Sequence, residues 1–284
     1  MARFPGHDQP HRPSSGARVS GRLALVTGAS SGIGAAFARI YADHGYDLVL
    51  TARREDRLSA LADDLRLGHS VEVLVLPADL ADPAAPAKLV ADIAAHGRTV
   101  DALVNNAGYG LVGPYAESRW EDQAAFLQVM VTAVCELAHR VLPDMIEQRF
   151  GRIVNVASLA GLAPGAPSVG LYSAAKALVV RFSQTLHLEQ INSGVHVSAL
   201  CPGFTWSEFH DVNNSRSMVA RAPAWLWLGA DEVAASGYEA AEANRPICVP
   251  GAPNKAMAAL AHLLPDEWAM ALMAGRRRFG VGRP

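Results

Sequence analysis

Between residues 22 and 251 short β-rich apolar runs alternate with single helical patterns, and this alternation narrows the fold more than any other feature. The runs LALVTG (23–28), YDLVLTAR (46–53), VEVLVL (71–76), VDALVNNAG (100–108), GRIVNVAS (151–158), VHVSALCPG (195–203) and PICVPG (246–251) read as strands. Helical patterns fill the intervals: 33–45, 55–66, 83–97, roughly 120–148, 172–192 and 230–243. Short strands separated by single helices build βαβ units and a parallel sheet. Wholly apolar strand centres such as LALV and DALV fit strands covered on both faces. With no fixed-period repeat and no central linker, residues 21–252 are expected to form one doubly wound, Rossmann-type α/β domain. Residues 1–20, rich in Pro, Gly, His and Arg, are expected to be a disordered tail. Residues 253–284 are expected to be a helical extension.

Composition removes several function classes. The formal net charge of −2 gives no reason to expect nucleic-acid binding or electrostatic attachment to a membrane. No uninterrupted apolar run has membrane-spanning length, the C-terminal one being cut by Pro265, Asp266 and Glu267. The first residues have no apolar core of a secretory signal. Three scattered cysteines, Cys135, Cys201 and Cys248, read as reduced thiols of a cytoplasmic protein. His139, His187, His196 and His210 lack metal-ligand spacing, so no metal is implied.

The segment TGASSGIG (27–34) lies at the junction of the first strand and the first helix, where a doubly wound sheet binds dinucleotides. Its glycines are spaced G-x-x-x-G-x-G instead of G-x-G-x-x-G. They still allow a tight turn and close backbone approach, and the helix N-terminus offers N–H groups to a pyrophosphate. A ligand-free glycine turn has the same composition; its place in the α/β pattern favours the nucleotide.

Four further segments follow in order: ADL (78–80), NNAG (105–108), Ser158 followed by YSAAK (172–176), and CPG (201–203). With the glycine turn, they make the chain closely resemble the short-chain dehydrogenase/reductase family over about residues 22–250. The resemblance implies an oxidoreductase acting on a small-molecule carbonyl or alcohol, with Ser158, Tyr172 and Lys176 catalytic. It also implies a cofactor held by Gly28, Ser30, Ser31, Gly32, Ile33, Gly34, Arg53, Arg54, Asp79, Leu80, Asn106, Ala107, Gly108, Tyr172, Lys176, Pro202, Gly203 and Thr205. A homodimer or homotetramer packed through the helices near 120–148 and 172–192 is implied as well.

The chemistry of the Tyr-x-x-x-Lys pair can be argued directly. Lys176 is one of three lysines among 25 basic residues. A free tyrosine, with a pKa of about 10, is a poor proton shuttle near neutrality. Lowering it to pH 7 needs about 4 kcal/mol. A cation roughly 4 Å away, at an effective dielectric near 20, supplies that much. The i,i+4 spacing puts both side chains on one helix face, and an ammonium can also donate to ribose hydroxyls. At the end of the second strand there is no carboxylate at 51 or 52 to accept from the ribose of NAD, and Arg53 and Arg54 are present instead, which favours the 2′-phosphate of NADP (NADPH).

One departure stands out. The long helix of that family carries an asparagine that anchors a proton-relaying water chain; here QVMVTAV (128–134) has Met130 in its place. A thioether accepts hydrogen bonds weakly and donates none. An NADP(H)-binding sensor or scaffold with weak or no catalysis is therefore the rival reading. Finally, SRSMVARAPAWLWLG (215–229) is unusually apolar for a connection. Either Trp225 and Trp227 anchor it, or it is a lid over a hydrophobic substrate.

Overall fold

The computed structural model describes residues 21–208 and 223–273. The residues 1–20 expected to be a tail lie outside that range, as do much of the 215–229 segment and the end of the C-terminal extension. Seven strands form one sheet in which every pairing is parallel. They are β1 (Leu23–Thr27), β2 (Asp47–Thr51), β3 (Val73–Val75), β4 (Ala102–Asn105), β5 (Gly151–Val156), β6 (Val195–Leu200) and, at the edge, the short strand Ile247–Cys248. The order runs β3-β2-β1-β4-β5-β6 and then the edge strand. Chain direction across the sheet reverses between β1 and β4, which opens a crevice at their C-terminal ends.

Strand composition explains the two-sided cover. In β1, Ala24 and Val26 face one apolar layer, and Leu23 and Leu25 face the other. The first layer holds Phe37 and Tyr41 of α1 (Gly32–Asp43), Leu58 and Leu65 of α2 (Glu55–Gly68), and Val233 of the helix Ala230–Glu242. The second holds Leu89 and Ile93 of α3 (Ala85–Ala95), Leu137 and Val141 of α5 (Ala133–Glu147), and Leu186 of α6 (Tyr172–Glu189). All five residues of β1 and of β2 are buried. The expected doubly wound α/β fold is present.

Some boundaries differ from expectation for physical reasons. The helical pattern at 120–148 comprises α4 (Trp120–Leu127) and α5, joined by one π-helical stretch, Gln128–Thr132. A π stretch shifts a helix face without removing apolar periodicity, so the pattern alone does not show it. The run Trp120–Glu147 is long and apolar enough to cross a membrane by length and composition. Within this run Phe126, Met130, Leu137 and Met145 are fully buried in the fold. A separate ribbon pairs β7 (Thr205–Trp206) with β8 (Leu228–Gly229). Its strands are two residues each, too short for an alternation to be read. Beyond the sheet, helices span Ala252–Leu263 and Asp266–Met273.

Candidate active site

The glycine turn leaves β1 and enters α1 at Gly32, with Gly28 and Gly32 at positive φ (66° and 55°). A Cβ on Gly34 would lie 2.3 Å from the Gly28 carbonyl oxygen, so only glycine lets the helix start this close to the turn. Thr27, which the motif reading did not single out, fixes the turn to the loop after β4. Its hydroxyl donates to the Val104 carbonyl at 3.1 Å and accepts from the backbone N–H groups of Asn106 (2.9 Å) and Ala107 (3.0 Å). The Asn106 amide donates to the carbonyls of Thr27 and Gly28 at 3.0 and 3.2 Å. Ser31 caps α1 without a side-chain hydrogen bond. The N–H groups of the first helical turn thus have no partner within the helix, which is the donor set a pyrophosphate needs.

A cavity of about 680 Å³ runs along the C-terminal strand ends. One end is walled by Gly28, Ser31, Gly32, Ile33, Arg53 and Arg54. Asn106, Ala107 and Gly108 after β4, Pro202, Gly203 and Thr205 after β6, and Ser158, Tyr172 and Lys176 line further parts of it. The remaining wall is mostly apolar: Leu111, Val112, Val169, Phe204, Met257, Leu260 and Leu264 among others. Of the predicted cofactor residues, Ser30 and Gly34 do not line it. Asp79 and Leu80 also lie off the wall. The Asp79 carboxylate accepts from its own turn, at Ala81 N–H (3.0 Å), and Leu80 is buried in the second apolar layer.

Ser158 follows β5 and caps the 3₁₀ turn Leu159–Gly161, its hydroxyl accepting from Ala160 N–H at 3.1 Å. The same side chain hydrogen-bonds Tyr172, so capping and site geometry coexist at one residue. Lys176 is 6% exposed, and its ammonium donates to the Val156 carbonyl at 2.7 Å. Burial pushes its pKa down to about 8. The ammonium lies 5.9 Å from the centre of the Tyr172 ring. Here the electrostatic expectation needs correction: burial raises Tyr172 above the ordinary tyrosine range, opposed by the Ser158 hydrogen bond. Desolvation of the phenolate outweighs the Ser158 hydrogen bond, the one opposing contribution.

Polar side chains hold this helix in register. Asn105 donates to Asn155 at 2.9 Å and to the Val134 carbonyl at 3.2 Å, and Asn155 donates to Ser183 of α6 at 2.9 Å. That chain ties β4 and β5 to α5 and α6, all within the core. Its signal in the sequence is one asparagine in each of two mostly apolar strands. Met130 is 1% exposed and packs with Phe126, Ala175 and Tyr172. A Cβ on Gly108 would lie 2.8 Å from its sulfur. Met130 is thus an apolar plug behind Tyr172, in the π stretch. Trp227 stacks on Trp206 (4.3 Å) and on Phe204 (5.3 Å), a residue of the cavity wall, while Trp225 is exposed. Cys201 is fully buried with its thiol pushed up to about 12 by burial, in keeping with a packing role.

A sequence profile described as short chain dehydrogenase matches residues 22–217. Oxidoreductase UcpA of Salmonella typhimurium is 35% identical over 187 residues, covering 66% of this chain and 70% of UcpA. A short-chain dehydrogenase from Sphingobium yanoikuyae, solved with NADPH, superposes with a TM-score of 0.75 at 32% identity, over 86% of this chain and 96% of that one. A short-chain dehydrogenase/reductase from Burkholderia phymatum, solved with NAD, gives 0.76 at 30% identity, over 90% and 96%. The profile covers more than half of the sequence and includes both the glycine turn and the Tyr172–Lys176 helix turn. The chain belongs to the short-chain dehydrogenase family of oxidoreductases.

Proposed function

We propose that this protein is an NADP(H)-dependent oxidoreductase that interconverts a bulky apolar ketone or aldehyde with its alcohol. The observation that carries this reading is one cavity with two chemically distinct ends. Ser158, Tyr172 and Lys176 converge on one stretch, and the glycine turn with Arg53 and Arg54 closes the other. When bound, the nicotinamide supplies or accepts the hydride. The first turn of α1 and the Gly28–Gly32 backbone hold the pyrophosphate, and the arginines after β2 attract the 2′-phosphate. At the other end the Tyr172 hydroxyl carries the proton that the substrate oxygen gains or loses. Ser158 donates a hydrogen bond to the same oxygen, and Lys176 orients the ribose and supplies positive charge behind Tyr172. The apolar wall keeps water from the reacting carbonyl and selects apolar substituents.

Exposed apolar residues on the two helix regions that the resemblance assigns to an interface support a homodimer or homotetramer: Trp120, Ile146, Leu178, Leu188 and Ile191. Three free thiols support a cytoplasmic setting. Burial of Met130 where a relay amide was expected favours a second reading, a cofactor-binding protein with little turnover.

Substrate bulk gives a direct test. Ala258 lines the cavity from the C-terminal helix Ala252–Leu263. Ala258→Phe is expected to raise KM for bulky apolar ketones by about tenfold or more, the scale of one or two misfitted hydrophobic groups. KM for small polar aldehydes and affinity for NADPH should stay within about twofold. An equal rise for all substrates would remove the apolar wall from substrate selection.

A further inference from the structure

Arg54 has no free donor fork in this fold. Its Nε and one terminal nitrogen donate to the Ser30 hydroxyl at 3.3 and 2.9 Å, and that nitrogen also donates to Ser31 at 3.0 Å. Its other terminal nitrogen lies 2.9 Å from Glu208 Oε2. Arg57 takes the second carboxylate oxygen, Oε1, at 2.5 Å. Glu208 arrives from far away in the sequence, just after the β7 ribbon, and with Arg54 it borders the nucleotide end of the cavity. The two guanidiniums hold its carboxyl down to about 2, so it stays ionised throughout the working pH range. An anion bridging two arginines beside the serines of the glycine turn has the chemistry of a phosphate on that spot.

Resting on the reading of Arg54 as a 2′-phosphate partner, we infer that Glu208 is an internal competitor for that phosphate and so a determinant of cofactor selectivity. A dinucleotide with a 2′-phosphate must displace the carboxylate from Arg54 and Arg57. One without it leaves the bridge in place. The phosphate wins because it carries more charge and more acceptor oxygens than a carboxylate. Ser30 and Ser31 keep the Arg54 side chain aimed when Glu208 leaves. Glu208 thereby lowers the preference for NADPH over NADH below what the arginines alone would give. Linkage makes the effect reciprocal: binding of the 2′-phosphate frees Glu208 from both arginines.

Titration calorimetry tests this without turnover. The ligands are 2′,5′-ADP, 5′-AMP, NADPH and NADH, and the proteins are wild type, Glu208→Gln, Glu208→Ala and Arg54→Ala. Glu208→Gln removes the charge at constant shape. It is expected to tighten 2′,5′-ADP and NADPH by about tenfold, the scale of two partly exposed, screened ion pairs, and to leave 5′-AMP and NADH within about twofold. Glu208→Ala is expected to act in the same direction, which covers a local packing fault in either variant. Weaker binding of 2′,5′-ADP in both Glu208 variants would make Glu208 a support for the arginine and overturn the inference. A wild-type preference for 2′,5′-ADP that is lost in Arg54→Ala but unchanged in both Glu208 variants would overturn it alone. Equal affinity of wild type for 2′,5′-ADP and 5′-AMP, with no gain in either Glu208 variant, would overturn it together with the NADP reading.

Discussion

Tyr172→Phe is expected to lower turnover at least about a hundredfold, the usual contribution of a positioned general acid or base. The ring stays, so packing against Met130, Phe126 and Ala175 is preserved and the fold is unaffected. NADPH affinity should hold, because Lys176 and the glycine turn are untouched. The pH profile separates a chemical role from a structural one. Burial raises the Tyr172 pKa above the ordinary value of about 10. Carbonyl reduction uses the protonated hydroxyl, so its rate should stay level through neutral pH and fall only in strongly alkaline solution. Alcohol oxidation uses the phenolate, so its rate should climb with pH toward the same range. Both dependences should disappear in Tyr172→Phe. Turnover within a few-fold of wild type, with the alkaline dependence intact, would remove Tyr172 from the reaction.

Gly34→Val is expected to abolish measurable NADPH binding and to lower Tm by several degrees. The added Cβ would meet the Gly28 carbonyl oxygen at 2.3 Å and the Asn106 amide nitrogen at 2.6 Å. Both are fixed: the amide is bonded to the Thr27 and Gly28 carbonyls, and the turn is clamped by the Thr27 hydroxyl. Relief requires moving α1 away from the turn, at a cost of about 1–3 kcal/mol for overpacking, and it misplaces the N–H groups meant for the pyrophosphate. Gly68, the last residue of α2, has nothing within 4 Å of where its Cβ would stand. Gly68→Ala should therefore leave binding unchanged and stabilise by about 0.4–1 kcal/mol through the unfolded chain. Equal thermal loss in the two variants, or tight NADPH binding by Gly34→Val, would contradict the geometry assigned to the turn.

These contrasts show which parts of the molecule the sequence discloses. The parallel sheet and its two helical layers follow from the strand–helix alternation and from two-sided burial, written in consecutive apolar residues. Tyr172 and Lys176 share a helix face because four residues complete about one turn. The pair was therefore visible, but the surroundings that set its proton affinity were not. Burial of Lys176 under the Val156 carbonyl depends on where β5 ends against α6, and the desolvation that raises Tyr172 depends on the same packing. The Asn105–Asn155–Ser183 chain crosses two strands and a helix, contacts that no local spacing encodes. Glu208 meets Arg54 and Arg57 only because the β7–β8 ribbon, made of two-residue strands, folds back toward α2. Arg53 and Arg54 look equivalent in the sequence, yet Arg53 is exposed and Arg54 is held by Ser30, Ser31 and Glu208.

On the proposed function, one cavity brings a nicotinamide and a carbonyl together beside Tyr172. That reading is tested most directly by following a labelled hydride. Wild type is incubated with NADPH deuterated at the transferable C4 position and a panel of bulky apolar ketones, and the products are read by mass spectrometry. The expected product is an alcohol carrying one deuterium on the former carbonyl carbon, formed at least about a hundredfold more slowly by Tyr172→Phe. Tight NADPH binding with no labelled alcohol from any ketone or aldehyde tried would contradict it and establish the protein as a cofactor-binding module instead.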